Sequence, residues 1–275
     1  MKNYSPTSPG RRGMSVTSFK NVITKDKPKK SLTSGFRRAV GRNNQGKITT
    51  RHKGAGVKRR YRQIDFGYAK KDIPAKVISI EYDPNRTCFI ALICFRDGEY
   101  QYRLAPQGLK VSDEIIISEK APVKTGNALK IGSLSSGTMI YNIEFKPGGG
   151  GKLVRAGGSS AEILSHQDKL TLIRMPSKEI RNVPSDAWAT VGSLSNEDHR
   201  FITYGKAGKS RHRGIRPTVR GSAMNPCDHP YGGGEGRALR GTRRPKNKWG
   251  KGTRGVKTRK RKKYSNIHII QRRKK

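Results

Sequence analysis

The sequence predicts an all-β protein: two small barrels in tandem, set between long basic non-globular extensions. Three observations carry that prediction. Short runs rich in β-branched and aromatic residues, punctuated by turn signals, fill residues 61–200. No apolar period sustains a helix of more than about three turns. Net positive charge is concentrated at the ends, +16 over residues 1–60 and +22 over 201–275, against +3 over the nearly neutral stretch between them.

The elements follow in chain order. Residues 1–60 mix Ser, Thr, Gly and Lys/Arg without a sustained period and read as an extended arm. From Pro74 the runs PAKVISIEYD, TCFIALICF and EYQYRLA, separated by PNR and RDG, predict an antiparallel unit over 61–125. A second unit, 126–200, holds GTMIYNIEF, AEILS, DKLTLIRM and WATVGSL, broken by glycines at 148–151 and 157–158 and by MPSKEI. Each unit is expected to close with about five strands, and the linker between them is expected around 118–132. After His199 the strand pattern stops, and 201–275 is a Gly-rich basic extension with Trp249 and Tyr264 as isolated aromatics.

A chain of 275 residues with 32% hydrophobic content and a formal net charge of +41 points to a polyanionic partner, because alone it repels itself and gathers counter-ions. Cys88, Cys94 and Cys227 form no CxxC pair, and their odd number argues against a disulfide framework. That usage suits a cytosolic or organellar chain. No run reaches the 18 apolar residues of a membrane span, and residues 1–30 lack a signal-peptide core, so no membrane partner is expected.

Three glycine-rich stretches carry the candidate chemistry. GRNNQGKI, residues 41–48, nearly matches a phosphate loop, but Ile48 replaces the magnesium-binding hydroxyl, and neither a buried strand before it nor a helix after it is expected. The better reading is a backbone lying close to phosphates, with Arg42, Lys47, Arg51, His52, Lys53, Lys58, Arg59, Arg60 and Arg62 among glycines. KPGGGGKLVRAGGSS places Lys152 and Arg155 beside two glycine clusters. Arg86 stands in the turn YDPNR, on a body where basic residues are few.

The third stretch is VRGSAMNPCDHPYGGGEGR, residues 219–237. Cys227, Asp228 and His229 suggest catalysis or a metal. Neighbours in sequence, however, point their side chains apart, Pro226 and Pro230 hold them extended, and no ligand spacing completes a metal site. The alternative is an RNA-shaped loop. Its glycines, Gly232, Gly233 and Gly234 among them, allow close approach, Arg220 and Arg237 neutralise its flanks, and Met224 and Tyr231 stack on bases.

RPTVRGSAMNPCDHPYGGGEGR is similar to a signature of the L-two family of large-subunit ribosomal proteins. GRNNQGKITTRHKGAGVKRRYRQIDF, EYDPNRT, NIEFKPGGGGKLVRAGG and GKAGKSRHRGIRP resemble the same family, in its order, from about Lys30 onward. The resemblance implies an oligonucleotide-binding-type barrel followed by an SH3-like barrel. It implies binding to large-subunit, 23S-type rRNA, with neighbouring ribosomal proteins, small-subunit contacts and tRNA nearby, no cofactor and no homo-oligomer. It implicates Arg86 and Arg155 as rRNA contacts, adds Arg211, Arg213 and Arg216, and places Asn225, Asp228 and His229 near the peptidyl transferase centre. Location in a cytoplasmic ribosome is expected, with an organellar one as the alternative. Tyr231 departs from the family's second histidine. Two other functions stay open: an enzyme using His229 as general base, and a nucleic-acid chaperone without a fixed site.

Overall fold

A computed structural model describes residues 1–20, 22–35, 38, 40–236 and 241–273. The chain forms two compact units. One comprises Met1–Arg37, Lys58–Lys209 and Ile267–Lys275; the other comprises Arg38–Val57 and Ser210–Asn266. Composition divides the chain at 60 and 200, whereas contacts divide it where basic segments from both ends pair with each other.

In the first unit, β1 (Lys2–Asn3) pairs antiparallel with β2 (Ser15–Val16) across the short helix α1 (Pro9–Arg12). β3 (Thr33–Gly35) pairs with β4 (Arg60–Arg62). β1, β2 and β3 lie inside the predicted extension and β4 straddles its end at 60; runs of two or three residues are too short to show a period. The extension remains a surface element, for Met14 alone is buried among the described residues of 1–60.

The fold is all-β, as predicted, with the oligonucleotide-binding-type unit first and the SH3-like unit second. β5 (Ala75–Glu81), β6 (Ile90–Phe95), β7 (Tyr100–Leu104) and β8 (Glu114–Ile115) form an antiparallel sheet in the order β7-β6-β5-β8. The central strand β6 is covered on both faces, so its sequence IALICF runs apolar without alternation. Ala91, Ile93 and Phe95 enter one core with Ala75, Val77 and Ile115. Ile90 and Leu92 pack with Tyr102, Leu32 and Ile64 on the other face. A bulge between Val77 and Ser79 leaves Ile78 exposed and lets Ser79, Ile80 and Glu81 all turn inward.

The second barrel contains β9 (Ala128–Lys130), β10 (Met139–Tyr141), β11 (Ile143–Glu144), β12 (Gly151–Leu153), β13 (Ala161–Gln167), β14 (Leu170–Arg174), β15 (Ile180–Pro184) and β16 (Trp188–Val191). With β17 (Ile269–Gln271) they give a seven-stranded sheet, β17-β15-β14-β13-β10-β16-β9, and a separate β11-β12 hairpin. Ile131, Ile140, Ile143, Ile163, Ile173 and Leu194 fill its core.

Four strands of this barrel lie outside the predicted runs, among them β12, which starts at a glycine expected to break the chain. β9 falls inside the expected linker and pairs with β16. β15, IRNVP, has no clean alternation yet spans β14 and β17. β17 is recruited from the basic C-terminal extension onto the edge of the sheet. A helix α2 (Ala207–His212) is six residues long, so the expectation of no long helix holds among the described residues.

Candidate nucleic-acid interface

On the first unit, the structure gathers basic residues that lie far apart in sequence. The guanidinium of Arg59 donates to the Pro84 oxygen at 2.8 Å, and the Asn85 side-chain amide donates to the Arg60 oxygen at 2.9 Å. The 58–62 segment therefore borders the turn that carries Arg86. Lys58 and Arg60 are exposed, whereas Arg62, expected among the phosphate contacts, is only 8% exposed and donates to the Arg60 oxygen at 3.1 Å.

Arg86 and Arg155 meet at one aromatic ring. The Arg155 guanidinium carbon lies 4.5 Å from the centre of Phe66, and that of Arg86 lies 5.5 Å away. Asp83, fully buried, accepts from Arg86 Nε at 2.6 Å and fixes that guanidinium. Arg155 is exposed, forms no ion pair among the described residues, and donates to the Gly151 oxygen at 3.3 Å. Two guanidinium groups held beside one ring present planar forks of N–H donors, a geometry that matches phosphate. Phe66 is a lone aromatic after Asp65 and carries no spacing signal in the sequence.

The loop geometry behind Arg155 is costly, and it is built in. Asn142 and Val154 bracket the β11-β12 hairpin with φ of 49° and 53°, and the Asn142 N–H donates to the Val154 oxygen at 2.8 Å. A left-handed conformation at a β-branched residue costs on the order of 1–3 kcal/mol. Buried Glu144 compensates by accepting from the Gly150 N–H at 2.9 Å and the Trp188 N–H at 3.1 Å, and the Gly151 N–H reaches the Phe66 oxygen at 2.8 Å. The glycine cluster is thus a braced hairpin loop with Lys152 exposed beside it.

In the second unit the other predicted segments pair with each other. Residues 41–50 form a hairpin in which Arg42 faces Ile48, the Asn43 N–H donates to the Lys47 oxygen, and the Arg42 guanidinium donates to the Gly46 oxygen at 2.8 Å. No strand-to-helix switch follows it, so the phosphate-loop match is one of letters only. Lys53 faces Ile215, the Arg216 N–H donates to the His52 oxygen at 3.1 Å, and the Val57 N–H donates to the His212 oxygen at 2.8 Å. Arg211, Arg213 and Arg216 therefore sit alongside Arg51, His52 and Lys53 in one basic body.

The 219–236 loop is packed against itself. Asp228 and His229 donate their N–H groups to the Asn225 oxygen at 3.0 and 3.2 Å, and the Gly233 N–H donates to the Met224 oxygen at 3.0 Å. A Cβ on Gly232 would lie 2.2 Å from the Asn225 oxygen, so glycine is required there by the loop's own backbone. Gly232 thus has a role inside the loop beside the expected close approach to RNA. Arg220, Asp228, Cys227 and Gly234 are exposed, and Met224 and His229 are half-buried. Arg237 lies outside the described residues. Tyr231 sends its hydroxyl to Thr242 Oγ1 at 3.0 Å and also accepts from the Lys246 N–H.

Comparison with known families agrees with this geometry. Residues 29–117 match the description Ribosomal Proteins L2, RNA binding N-terminal domain, and residues 124–250 match Ribosomal Proteins L2, C-terminal domain.

Proposed function

We propose, from the premise that this chain belongs to the ribosomal protein L2 family, that its two units grip large-subunit, 23S-type rRNA through separate basic faces. As a member of the family it is an RNA-binding structural constituent of the large ribosomal subunit and acts in translation. In the finer reading, Arg86, Arg155 and Lys152 on the barrels, with Lys58, Arg59 and Arg60 at the end of the adjoining extension, fix the register on rRNA. Arg42, Lys47, Arg51, His52, Lys53, Arg211, Arg213 and Arg216 neutralise phosphates from the second unit.

The 219–237 loop, with Met224, Asn225, Asp228, His229 and its glycines, orders RNA near the peptidyl transferase centre. It supports tRNA placement and subunit association, and peptide transfer itself is left to the RNA. The division into extensions 1–60 and 201–275 around barrels 61–125 and 126–200 belongs to the same reading, as does a cytoplasmic ribosome.

The observation that supports rRNA recognition by the barrels is the pair Arg86 and Arg155 converging on Phe66. Arg155→Ala should weaken binding of a large-subunit rRNA fragment by about 1–3 kcal/mol while leaving the circular dichroism spectrum unchanged, whereas Arg86→Ala should weaken binding and also lower the urea midpoint, because it leaves the buried Asp83 carboxylate without its partner. Unchanged binding by both variants at physiological salt removes the barrels as the recognition surface. Cross-links from residues 219–237 to rRNA test the loop's place; nucleotides remote from the peptidyl transferase centre would reject it.

A further inference from the structure

Residues 245–253 form a hairpin that the 219–237 loop touches at its base, where the Tyr231 hydroxyl accepts from the Lys246 N–H, but whose tip neither that loop nor the barrel face uses. Lys246 and Gly252 face each other as an antiparallel bridge, and the Asn247 N–H donates to the Lys251 oxygen at 2.8 Å. The Asn247 side-chain oxygen accepts from the N–H groups of Trp249 and Lys251, each at 3.0 Å. Thr253 closes the base, its N–H at 2.8 Å and its hydroxyl at 3.1 Å from the Pro245 oxygen. Gly250, at φ 74°, turns the chain.

This bracing holds Trp249 at the tip, 67% exposed. A large apolar ring left in water by a self-tied hairpin calls for an occupant. Its surroundings say which kind. The Lys248 ammonium lies 4.8 Å and the Arg51 guanidinium carbon 5.9 Å from the ring centre. A groove of about 660 Å³ at the hairpin's base is lined by Arg243, Arg244, Lys246 and Val256. No Asp or Glu follows Glu235 in the chain.

We propose that Trp249 is a stacking site for an unpaired RNA nucleotide whose flanking phosphates lie along the Arg243, Arg244 and Lys246 groove. The proposal rests on the RNA-binding reading above and deepens it. An aromatic ring offers every base a face to stack on, and cations at its rim hold the backbone that carries the base. A base in a duplex is already stacked on both sides, so the site takes single strands.

The two tryptophans make the test direct in the full chain, because Trp188 is only 5% exposed. The emission of Trp249 is the difference between the wild type and Trp249→Phe. A short single-stranded oligoadenylate should quench that difference and shield it from acrylamide, while a blunt RNA duplex should bind without doing so. Trp249→Ala should weaken oligoadenylate binding by about 5- to 150-fold, and Trp249→Phe, which keeps a ring, should lose less. Oligoadenylate that binds, by anisotropy, with no change in Trp249 emission overturns the site. Polyglutamate that quenches as strongly also overturns it, and assigns the hairpin to an acidic protein segment. Failure of every RNA to bind overturns the RNA reading together with the site.

Discussion

The main-chain N–H of Tyr231 donates to Nδ1 of His229 across 3.1 Å, and the two rings lie 5.0 Å apart at 47°. Nδ1 is thereby the accepting nitrogen, so a neutral His229 carries its proton on Nε2. A general base must offer a free lone pair to the proton it takes; here that lone pair is engaged two residues away. His229→Ala in assembled large subunits is expected to slow single-turnover peptide transfer by less than about tenfold, against the 10²- to 10⁴-fold typical of a lost general base. A loss of hundreds-fold in fully assembled particles makes His229 a catalyst.

Tyr231 also ties the loop to the segment that follows it. Its hydroxyl reaches Thr242 Oγ1 at 3.0 Å and the Arg244 oxygen at 3.3 Å, and accepts from the Lys246 N–H. Tyr231→Phe keeps the ring beside His229 and deletes these bonds. Each net hydrogen bond contributes about 0.5–1.5 kcal/mol, so exchange of the Lys246 amide with deuterium should accelerate by about 2- to 12-fold. An unchanged rate at Lys246 means that the hydroxyl does not hold the segment.

What the sequence disclosed depends on whether a signal is local. Strands β5, β6 and β7 and their turns were legible because β-branched runs and RDG act within a few residues. Arg86 and Arg155 were legible as isolated cations on a neutral body, but their meeting at Phe66 was not. That contact links residues 66, 86 and 155, which only the tertiary fold brings together. The pairing of Lys53 with Ile215 was hidden for the same reason, since both segments look like solvated charge runs. In the 219–236 loop, the glycines pointed to close approach to RNA, and the structure adds a contact inside the loop, Gly232 against the Asn225 oxygen, that no local signal shows.

Burial beneath the barrel face sets an alkaline limit on stability. Burial pushes the Cys88 thiol up from 9.0 to about 11, and raises the Tyr141 and Tyr68 hydroxyls too. Each group favours its neutral, protonated form in the fold, so the folded pKa lies above the unfolded one. The stabilisation is complete below about pH 9 and is lost as pH rises through about 11. The urea midpoint should therefore hold between pH 7 and 9 and fall above it, and Cys88→Ala should flatten the first part of that fall. A midpoint independent of pH up to 11 contradicts the burial argument. Iodoacetamide at pH 8 should label exposed Cys227 and spare Cys88 until urea unfolds the chain.

The outer face of β6 depends on the N-terminal extension. Ile90, Leu92 and Tyr102 on that face are covered by Leu32 and Ile64. The Tyr102 hydroxyl donates to Glu81 Oε2 at 2.7 Å and accepts the Lys29 N–H at 2.8 Å, while the Ser79 hydroxyl donates to Glu81 Oε1 at 2.9 Å. Glu81 is 2% exposed, so its carboxylate relies on these donors in place of water. Residues 61–200 alone should fold, since they hold both apolar cores and keep Ile64 on β6, but with the Leu32 cover of that face removed. Tyr102→Phe in the full chain removes one donor to Glu81 and orphans the Lys29 N–H, at a cost of about 1–3 kcal/mol. If the extension covers β6 in solution, Tyr102→Phe lowers the urea midpoint of the full chain but has a smaller effect on the 61–200 fragment, where Lys29 is already missing. Equal effects in both would mean that the extension lies elsewhere and that the 61–200 body is complete without it.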